Sequence, residues 1–194
     1  MDEYLRRAAR KWPDRIALID AETGDSWTYA ELVNWAEQVA QRLRELGVDP
    51  GDRISLEMGR RPETIATLWG VLRAGAVLVP LDPDEPPAER RSRCELAGVR
   101  LRIGNWDDSE AGPTADGSPT AEDRIPAVDI VALPSKAHET AAARHPAPTR
   151  RGLDRTRVVL FTSGTTGEPT GVRLTGRNLG ASAASTVERL GATA

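Results

Sequence analysis

The sequence predicts an α/β fold in which helices flank a largely parallel β-sheet. Two short runs, Ala76–Leu81 and Val158–Phe161, are apolar throughout, which is typical of strands that are covered on both faces. Segments with the apolar spacing of amphipathic helices separate these runs from other short apolar segments. This alternation of helices and buried strands indicates an α/β domain rather than an all-helical or all-strand one.

The first 28 residues predict a short helix followed by a hairpin. Residues 2–11 carry apolar side chains on one helical face, and a Gly-containing turn separates the apolar run Ile16–Ile19 from Ser26–Thr28. Two short strands joined by such a turn are typical of an antiparallel hairpin.

A long helix follows this hairpin. Thr28 and Glu31 have the spacing of a reciprocal capping box, so they predict the helix start, and Gly47 predicts its end. The face opposite the apolar residues is polar and includes Glu37, so we expect Glu37 to be solvated.

Two further helices are predicted by prolines at their first turns, where the missing N–H does no harm. Pro62 opens the first, which Gly75 closes, and Pro87 precedes the second, predicted over residues 88–97. The predicted buried stripe of the first consists of Ile65, Leu68, Trp69 and Leu72. The remaining predicted strands are Arg53–Glu57, Val99–Ile103 and Val128–Leu133.

Composition excludes several functional classes. The 194 residues can bury a sizeable core, and the net charge of −3 does not suggest a nucleic-acid binder. The single cysteine, Cys94, excludes an internal disulfide and suits a reducing compartment, and no apolar run is long enough to span a membrane. We therefore expect a cytoplasmic protein without nucleic-acid or membrane partners.

We interpret residues 1–194 as a single domain with two irregular segments. Residues 105–124 and 134–156 are rich in Pro, Gly, Ala, Ser, Thr and charged side chains, so we expect them to be flexible loops. A final helix is predicted from about Arg177.

The run Thr162–Gly167 consists only of hydroxyl-bearing residues and glycine, between a buried strand and the short strand Val172–Leu174. Such loops hold phosphate, because glycines let several backbone N–H groups converge and hydroxyls donate further hydrogen bonds. An ordinary polar hairpin turn fits the same composition. A Walker loop is excluded because Pro169, five residues after Gly164, stands where the second glycine of that motif belongs, and Phe161 excludes a nucleophile elbow around Ser163.

Four sequence signatures, in order along the chain, resemble those of the adenylate-forming ligases, which include acyl-CoA synthetases and nonribosomal peptide synthetase adenylation domains. They are Trp27–Leu32, Leu72–Asp82 with Pro83, Pro87, Glu89 and Arg90, then Phe161–Val172, and Arg177–Leu179. The resemblance implies an incomplete N-terminal subdomain of that fold. It also implies the family reaction, in which a carboxylate joins the α-phosphate of ATP before transfer to a thiol.

The resemblance assigns the cofactor site to the phosphate loop. The residues that it would place around the β- and γ-phosphates of ATP, with Mg²⁺ alongside, are Thr162, Ser163, Gly164, Thr165, Thr166 and Gly167, with Thr170 close by. It assigns no catalytic residue and no protein metal ligand in this chain.

Two positions depart from the family pattern. Thr170 stands where the family has lysine, and Gly176 where it usually has histidine. Threonine can donate a hydrogen bond but cannot neutralise phosphate charge, so we expect these residues alone to bind ATP only weakly. The parts that the family uses to hold adenine, ribose and the carboxylate, and its mobile C-terminal domain, are expected to lie downstream of these signatures.

Three interpretations follow. The chain is a catalytically incomplete relative that binds or regulates a partner, one half of a split ligase, or a piece of a full-length active ligase. An incomplete sheet leaves strand edges and apolar helix faces to be covered. We therefore expect a homodimer or a partner protein, such as a carrier protein or a biosynthetic enzyme.

Overall fold

The computed structural model describes residues 2–104, 126–128, 150–162 and 169–191. The predicted loop 105–124 and residues 134–149 of the second predicted loop lie outside the described residues, as does most of the strand predicted at Val128–Leu133. At the end of the second predicted loop, Arg150–Asp154 forms a 3-10 helix.

The first part of the chain forms the predicted helix and hairpin. Helix α1 spans Asp2–Lys11, and strands β1 (Ile16–Ile19) and β2 (Ser26–Thr28) pair antiparallel. Helix α2 (Tyr29–Glu45) begins with the predicted capping box.

The main sheet has six strands in the order β6-β5-β3-β4-β7-β8. Its strands are β3 (Arg53–Glu57), β4 (Val77–Leu81), β5 (Leu101–Ile103), β6 (Ala127–Val128), β7 (Thr156–Thr162) and β8 (Thr170–Thr175). Neighbours from β6 to β7 pair parallel, and only β8 runs antiparallel, against β7. The predicted α/β fold with a largely parallel sheet is therefore confirmed.

Helices cover both faces of this sheet. Helices α2 and α3 (Pro62–Ala74) pack over a cluster that includes Ile54, Leu56 and Leu78. Helix α4 (Pro87–Ala97) packs over a second cluster through Cys94 and Ala97. Alternate residues of β4 contribute to the two clusters, as expected for a strand covered on both faces. Helix α5 spans Gly176–Leu190.

The packing of α2 against α3 corrects one prediction and refines another. Glu37, predicted to be solvated, is 6% exposed, because Arg73 of α3 pairs with it across the helix interface and Arg44 lies 3.5 Å away. The arginine charges compensate the burial of its carboxylate.

The predicted stripe of α3 packs against the core, but it is not the most deeply buried part of the helix. Leu72 is buried, and Ile65, Leu68 and Trp69 are partly buried against the same cluster. The residues of α3 that are more fully buried include Thr64, Ala66, Thr67, Gly70 and Val71. Small residues decide this orientation, because Gly70 lies against Val39 of α2 with no room for a side chain.

Candidate functional site

The β7–β8 hairpin carries the predicted phosphate loop between its strands. Thr162 and Thr170 form the last residue pair of the ladder, and the Thr162 hydroxyl donates to the Thr170 carbonyl oxygen over 3.4 Å. Both residues therefore belong to the strands, which extend beyond the predicted ends at Phe161 and Val172. The predicted site residues Ser163, Gly164, Thr165, Thr166 and Gly167 lie outside the described residues.

The loop of the hairpin begins at the edge of the sheet where the parallel strands end. Because β3, β4 and β7 are parallel, their carboxyl ends lie at one edge, and the loop after Thr162 begins there. Open α/β sheets bind ligands in the crevice outside the carboxyl ends of their strands. The topology therefore places the start and the end of the predicted phosphate loop at the edge where a ligand is expected.

A cavity of about 750 Å³ lies at this edge. Three segments line it: the residues after β3, including Arg60; the residues after β4, including Asp82; and Leu160 with Phe161 of β7. Arg93 of α4 completes the lining. The cavity thus connects the loop after β3 with the strand that leads into the phosphate loop.

Most charges in this cavity have partners. Arg93 pairs with Glu85, and its guanidinium carbon lies 6.0 Å from the centre of the Phe161 ring. The Asp82 carboxylate accepts a hydrogen bond from the Asp84 backbone N–H over 2.9 Å, which fixes the turn after β4.

Arg60 and Arg93 were missed by the analysis of the sequence. Arg60 is exposed. The signal that could have identified it is its place directly after a predicted parallel strand, where ligand-binding residues of α/β folds concentrate. Arg93 had no such signal, because its place in the cavity depends on how α4 packs.

The junction from β8 to α5 explains the two signature features that follow the loop. Thr175 and Asn178 form a second capping box, so the Asn of the Arg-Asn-Leu signature has a structural role. A Cβ on Gly176 would lie 3.3 Å from the Leu153 carbonyl oxygen, so the neighbouring 3-10 helix leaves little room for the histidine that the family pattern has there.

The exposed pair beside this junction perturbs a carboxyl group. The Arg177 guanidinium hydrogen-bonds Asp154 over 2.9 Å, and this contact lowers the pKa of the Asp154 carboxyl. Buried Cys94 has the opposite shift, because burial raises the pKa of its thiol. A protonated thiol is a poor nucleophile, so Cys94 acts as a small core residue.

The fit of MgATP to the described residues can be tested on their donor groups. In residues 2–104, 126–128, 150–162 and 169–191, no three His, Cys, Asp or Glu side chains converge on a metal-binding position. Mg²⁺ in nucleotide sites is usually held by one or two carboxylates together with phosphate oxygens. The cavity lining includes two carboxylates, Asp82 and Asp84, together with Arg60, and these are residue types that a metal arriving with its nucleotide would require. Within the same ranges, every helix is too short or too polar to cross a membrane.

The sequence profile described as AMP-binding enzyme matches residues 5–193. Pyochelin synthetase PchE of Pseudomonas aeruginosa is 37% identical over 175 residues, which cover 89% of this chain and 10% of that protein. The probable non-canonical nonribosomal peptide synthetase CymA of Salinispora arenicola is 35% identical over 97% of this chain and 2% of that protein.

Solved structures are similar over almost the whole chain. The o-succinylbenzoate CoA synthetase MenE of Bacillus subtilis, in complex with the acyl-adenylate intermediate OSB-AMP, superposes with a TM-score of 0.78 and 26% identity. The match covers 98% of this chain and 46% of that one. The same synthetase in complex with ATP and magnesium ion gives a TM-score of 0.75. The chain thus spans less than half of the solved synthetase and about a tenth of PchE.

Proposed function

Because the chain belongs to the AMP-binding enzyme family, to which the adenylate-forming relatives described above also belong, we propose that it holds the phosphates of ATP and is catalytically incomplete by itself. The β7–β8 hairpin carries this proposal. Its threonine-closed end lies at the carboxyl edge of the parallel strands, where α/β folds bind ligands.

The chain's own groups would act by hydrogen bonding. Backbone N–H groups and hydroxyls of Thr162–Gly167 would surround the outer phosphates, and Thr170 would add a neutral donor at the end of the hairpin. In a completed ligase, MgATP held here would supply the α-phosphate that accepts a carboxylate oxygen, with pyrophosphate as the leaving group. Donors fixed in advance stabilise the charge that grows on that leaving group.

Thr170 stands where the family pattern has lysine, and this difference supports the proposal that these residues by themselves bind phosphate only weakly. A charge-assisted hydrogen bond contributes about 1.5–3 kcal/mol, against about 1 kcal/mol for a neutral one. Thr170 is exposed at the start of β8, so water competes with its hydroxyl for the phosphate. The alternative, in which the chain is the first part of an active carboxylate-activating ligase, is favoured by the intact Thr162–Gly167 sequence.

Calorimetric titration of the 194-residue chain with MgATP and with magnesium pyrophosphate tests the proposal. We expect weak binding that Thr170→Lys tightens about tenfold, as one charge-assisted contact would. Val172→Lys is the matched control, because it adds the same charge two residues along the same strand. Equal tightening by both variants would mean that charge alone, and not the site, attracts the ligand.

Carboxylate-dependent ATP–pyrophosphate exchange separates the two candidate functions. The incomplete chain is expected to give no exchange alone and to gain it when a polypeptide that carries the rest of a ligase is added. Exchange by the chain alone would establish the active alternative instead.

A partner-binding role is favoured by exposed apolar side chains near the hairpin and α5. Leu160 and Val172, a cross-strand pair, are 40% and 41% exposed, and Val187 and Leu190 of α5 are 52% and 76% exposed. We propose that a second copy or a partner protein covers them, with β8 as the edge strand that it meets. Sedimentation showing a stable monomer at micromolar concentration would contradict the homodimer. A cytoplasmic location likewise stays a prediction.

A further inference from the structure

Arg60 lies in the cavity at the carboxyl edge of the sheet and is exposed. Its side chain takes part in no ion pair or hydrogen bond with the described part of the chain. A guanidinium carries its charge at every physiological pH and presents N–H donors in a fork that matches phosphate oxygens. An exposed arginine in a cavity therefore has its full charge and donors available for an anion.

Of the other charged residues that line the cavity, Arg93, Glu85 and Asp82 make local side-chain contacts, whereas Asp84 contributes its backbone N–H to one of them. Arg93 is paired with Glu85 and packs beside Phe161, and Asp82 accepts the Asp84 N–H. Arg60 is thus the guanidinium in the cavity that no carboxylate of the described residues neutralises.

Arg60 and the hairpin share this cavity. Leu160 and Phe161 line it beside Arg60, and the next residue, Thr162, pairs with Thr170. One strand, β4, separates β3 from β7, so the two strands are roughly 10 Å apart. A long arginine side chain and an extended polyphosphate together span such a distance.

The helix that follows Arg60 adds to the local positive potential. Helix α3 starts at Pro62, and no side chain caps its N-terminus. The partial positive charge of a helix N-terminus favours an anion within its first turn. Arg60 stands two residues before this terminus, so the helix dipole adds to the positive potential around its backbone.

We propose that Arg60 supplies to the polyphosphate of a bound nucleotide the positive charge that Thr170 cannot supply from β8. This inference rests on the proposed function. It names the residue that gives the phosphate site, which has Thr170 in place of a lysine, its remaining cationic contact. Arg60 is a binding residue in this role and takes no part in proton transfer.

The experiment compares two adjacent arginines. Arg61 is also exposed, but it does not line the cavity, so Arg61→Ala removes the same charge beside the site. In titrations with MgATP and with magnesium pyrophosphate, Arg60→Ala is expected to weaken binding about tenfold. Arg61→Ala is expected to leave it within about twofold, because an exposed charge outside the site contributes little. Unchanged melting temperatures would show that both variants fold.

A double variant tests whether the charge of Arg60 replaces the charge of a lysine at position 170. If Arg60 does the work of a lysine at position 170, then Arg60→Ala should weaken binding much less in the Thr170→Lys chain than in the natural one. Equal losses in the two backgrounds would overturn the proposed replacement.

Two further outcomes are distinguishable. If the natural chain binds and the two alanine variants bind equally, the assignment of Arg60 is wrong while the proposed function stands. If the natural chain and Thr170→Lys both fail to bind either ligand, the proposed function is wrong, and the role of Arg60 falls with it.

Discussion

The α2–α3 layer buries its apolar residues, whereas the α5 region leaves apolar residues exposed. Val39, Leu43 and Val71 in the first are fully buried, whereas Val187 and Leu190 in the second are 52% and 76% exposed. Within the described part of α5, only the two glycines Gly176 and Gly180 are buried. The first region therefore completes its own core, while the second presents apolar surface that a further structural element could cover.

Ion pairs show the same contrast between the covered sheet and the α5 region, and they give the largest predicted effect. Glu57 pairs with Arg90 of α4, and both side chains are 9% exposed. Glu57→Gln keeps the volume but leaves Arg90 without its main counter-charge, and removing one partner of a buried pair typically costs about 3–5 kcal/mol. We expect a loss of that size in the free energy of unfolding, measured by urea denaturation.

The control for this prediction is the exposed pair Asp154–Arg177, whose side chains are 62% and 69% exposed. Asp154→Asn is expected to leave the denaturation midpoint unchanged within error, because exposed pairs contribute little. Similar shifts for Glu57→Gln and Asp154→Asn would remove the energetic distinction between the covered sheet and the α5 region.

A pair of helical glycines gives the next largest effect. A Cβ on Gly70 of α3 would lie 2.4 Å from Val39 Cγ1 and 3.1 Å from the Ala36 carbonyl oxygen. Because Val39 is fully buried, it has little room to move, and overpacking of this kind costs about 1–3 kcal/mol. Gly70→Ala should therefore lower the free energy of unfolding despite the better helix propensity of alanine.

Gly180 of α5 is the matched position. A Cβ there would lie 2.7 Å from the hydroxyl of Tyr4, but Tyr4 is 52% exposed and can turn away. Gly180→Ala should then stabilise the protein by up to about 1 kcal/mol through helix propensity. Destabilisation by Gly180→Ala as large as that by Gly70→Ala would mean that α5 is packed as tightly as α3.

The elements of the first region could be predicted because local chemistry sets their ends. Thr28 with Glu31 starts α2, Pro62 starts α3, and Gly75 ends α3 with a positive φ of 85°. The orientation of α3 could not be predicted in this way. Periodicity favoured large residues as the buried stripe, but the close approach of α2 and α3 requires Gly70 to face the neighbouring helix.

The candidate site was predictable in its sequence pattern and not in its surroundings. The strand before the loop and the hydroxyl-rich run could be read from residues 158–167. The cavity depends on which strands are neighbours, and the order β3-β4-β7 is not encoded in any single segment. Arg60 therefore became a candidate only when the sheet brought the end of β3 close to Phe161.

The two capping boxes give the smallest effect, because one contains an ionisable group and the other does not. In the box of α2, Glu31 accepts hydrogen bonds from the Thr28 N–H at 2.7 Å and from the Thr28 hydroxyl at 2.9 Å. These contacts, the backbone one first, lower the pKa of the Glu31 carboxyl from its ordinary value of 4.5. In the box of α5, Asn178 accepts the same two hydrogen bonds from Thr175, and its amide does not titrate.

A lowered pKa in the folded state means that Glu31 stabilises the protein above its ordinary pKa, and that this contribution is lost as the pH falls through the lowered value. The stability difference between the natural chain and Glu31→Gln should therefore shrink between about pH 6 and about pH 3. The difference between the natural chain and Asn178→Ala should stay constant over that range, when both are measured by urea denaturation. A pH-independent Glu31→Gln difference would mean that the carboxylate charge adds nothing to the cap, because the neutral amide then makes the same hydrogen bonds equally well.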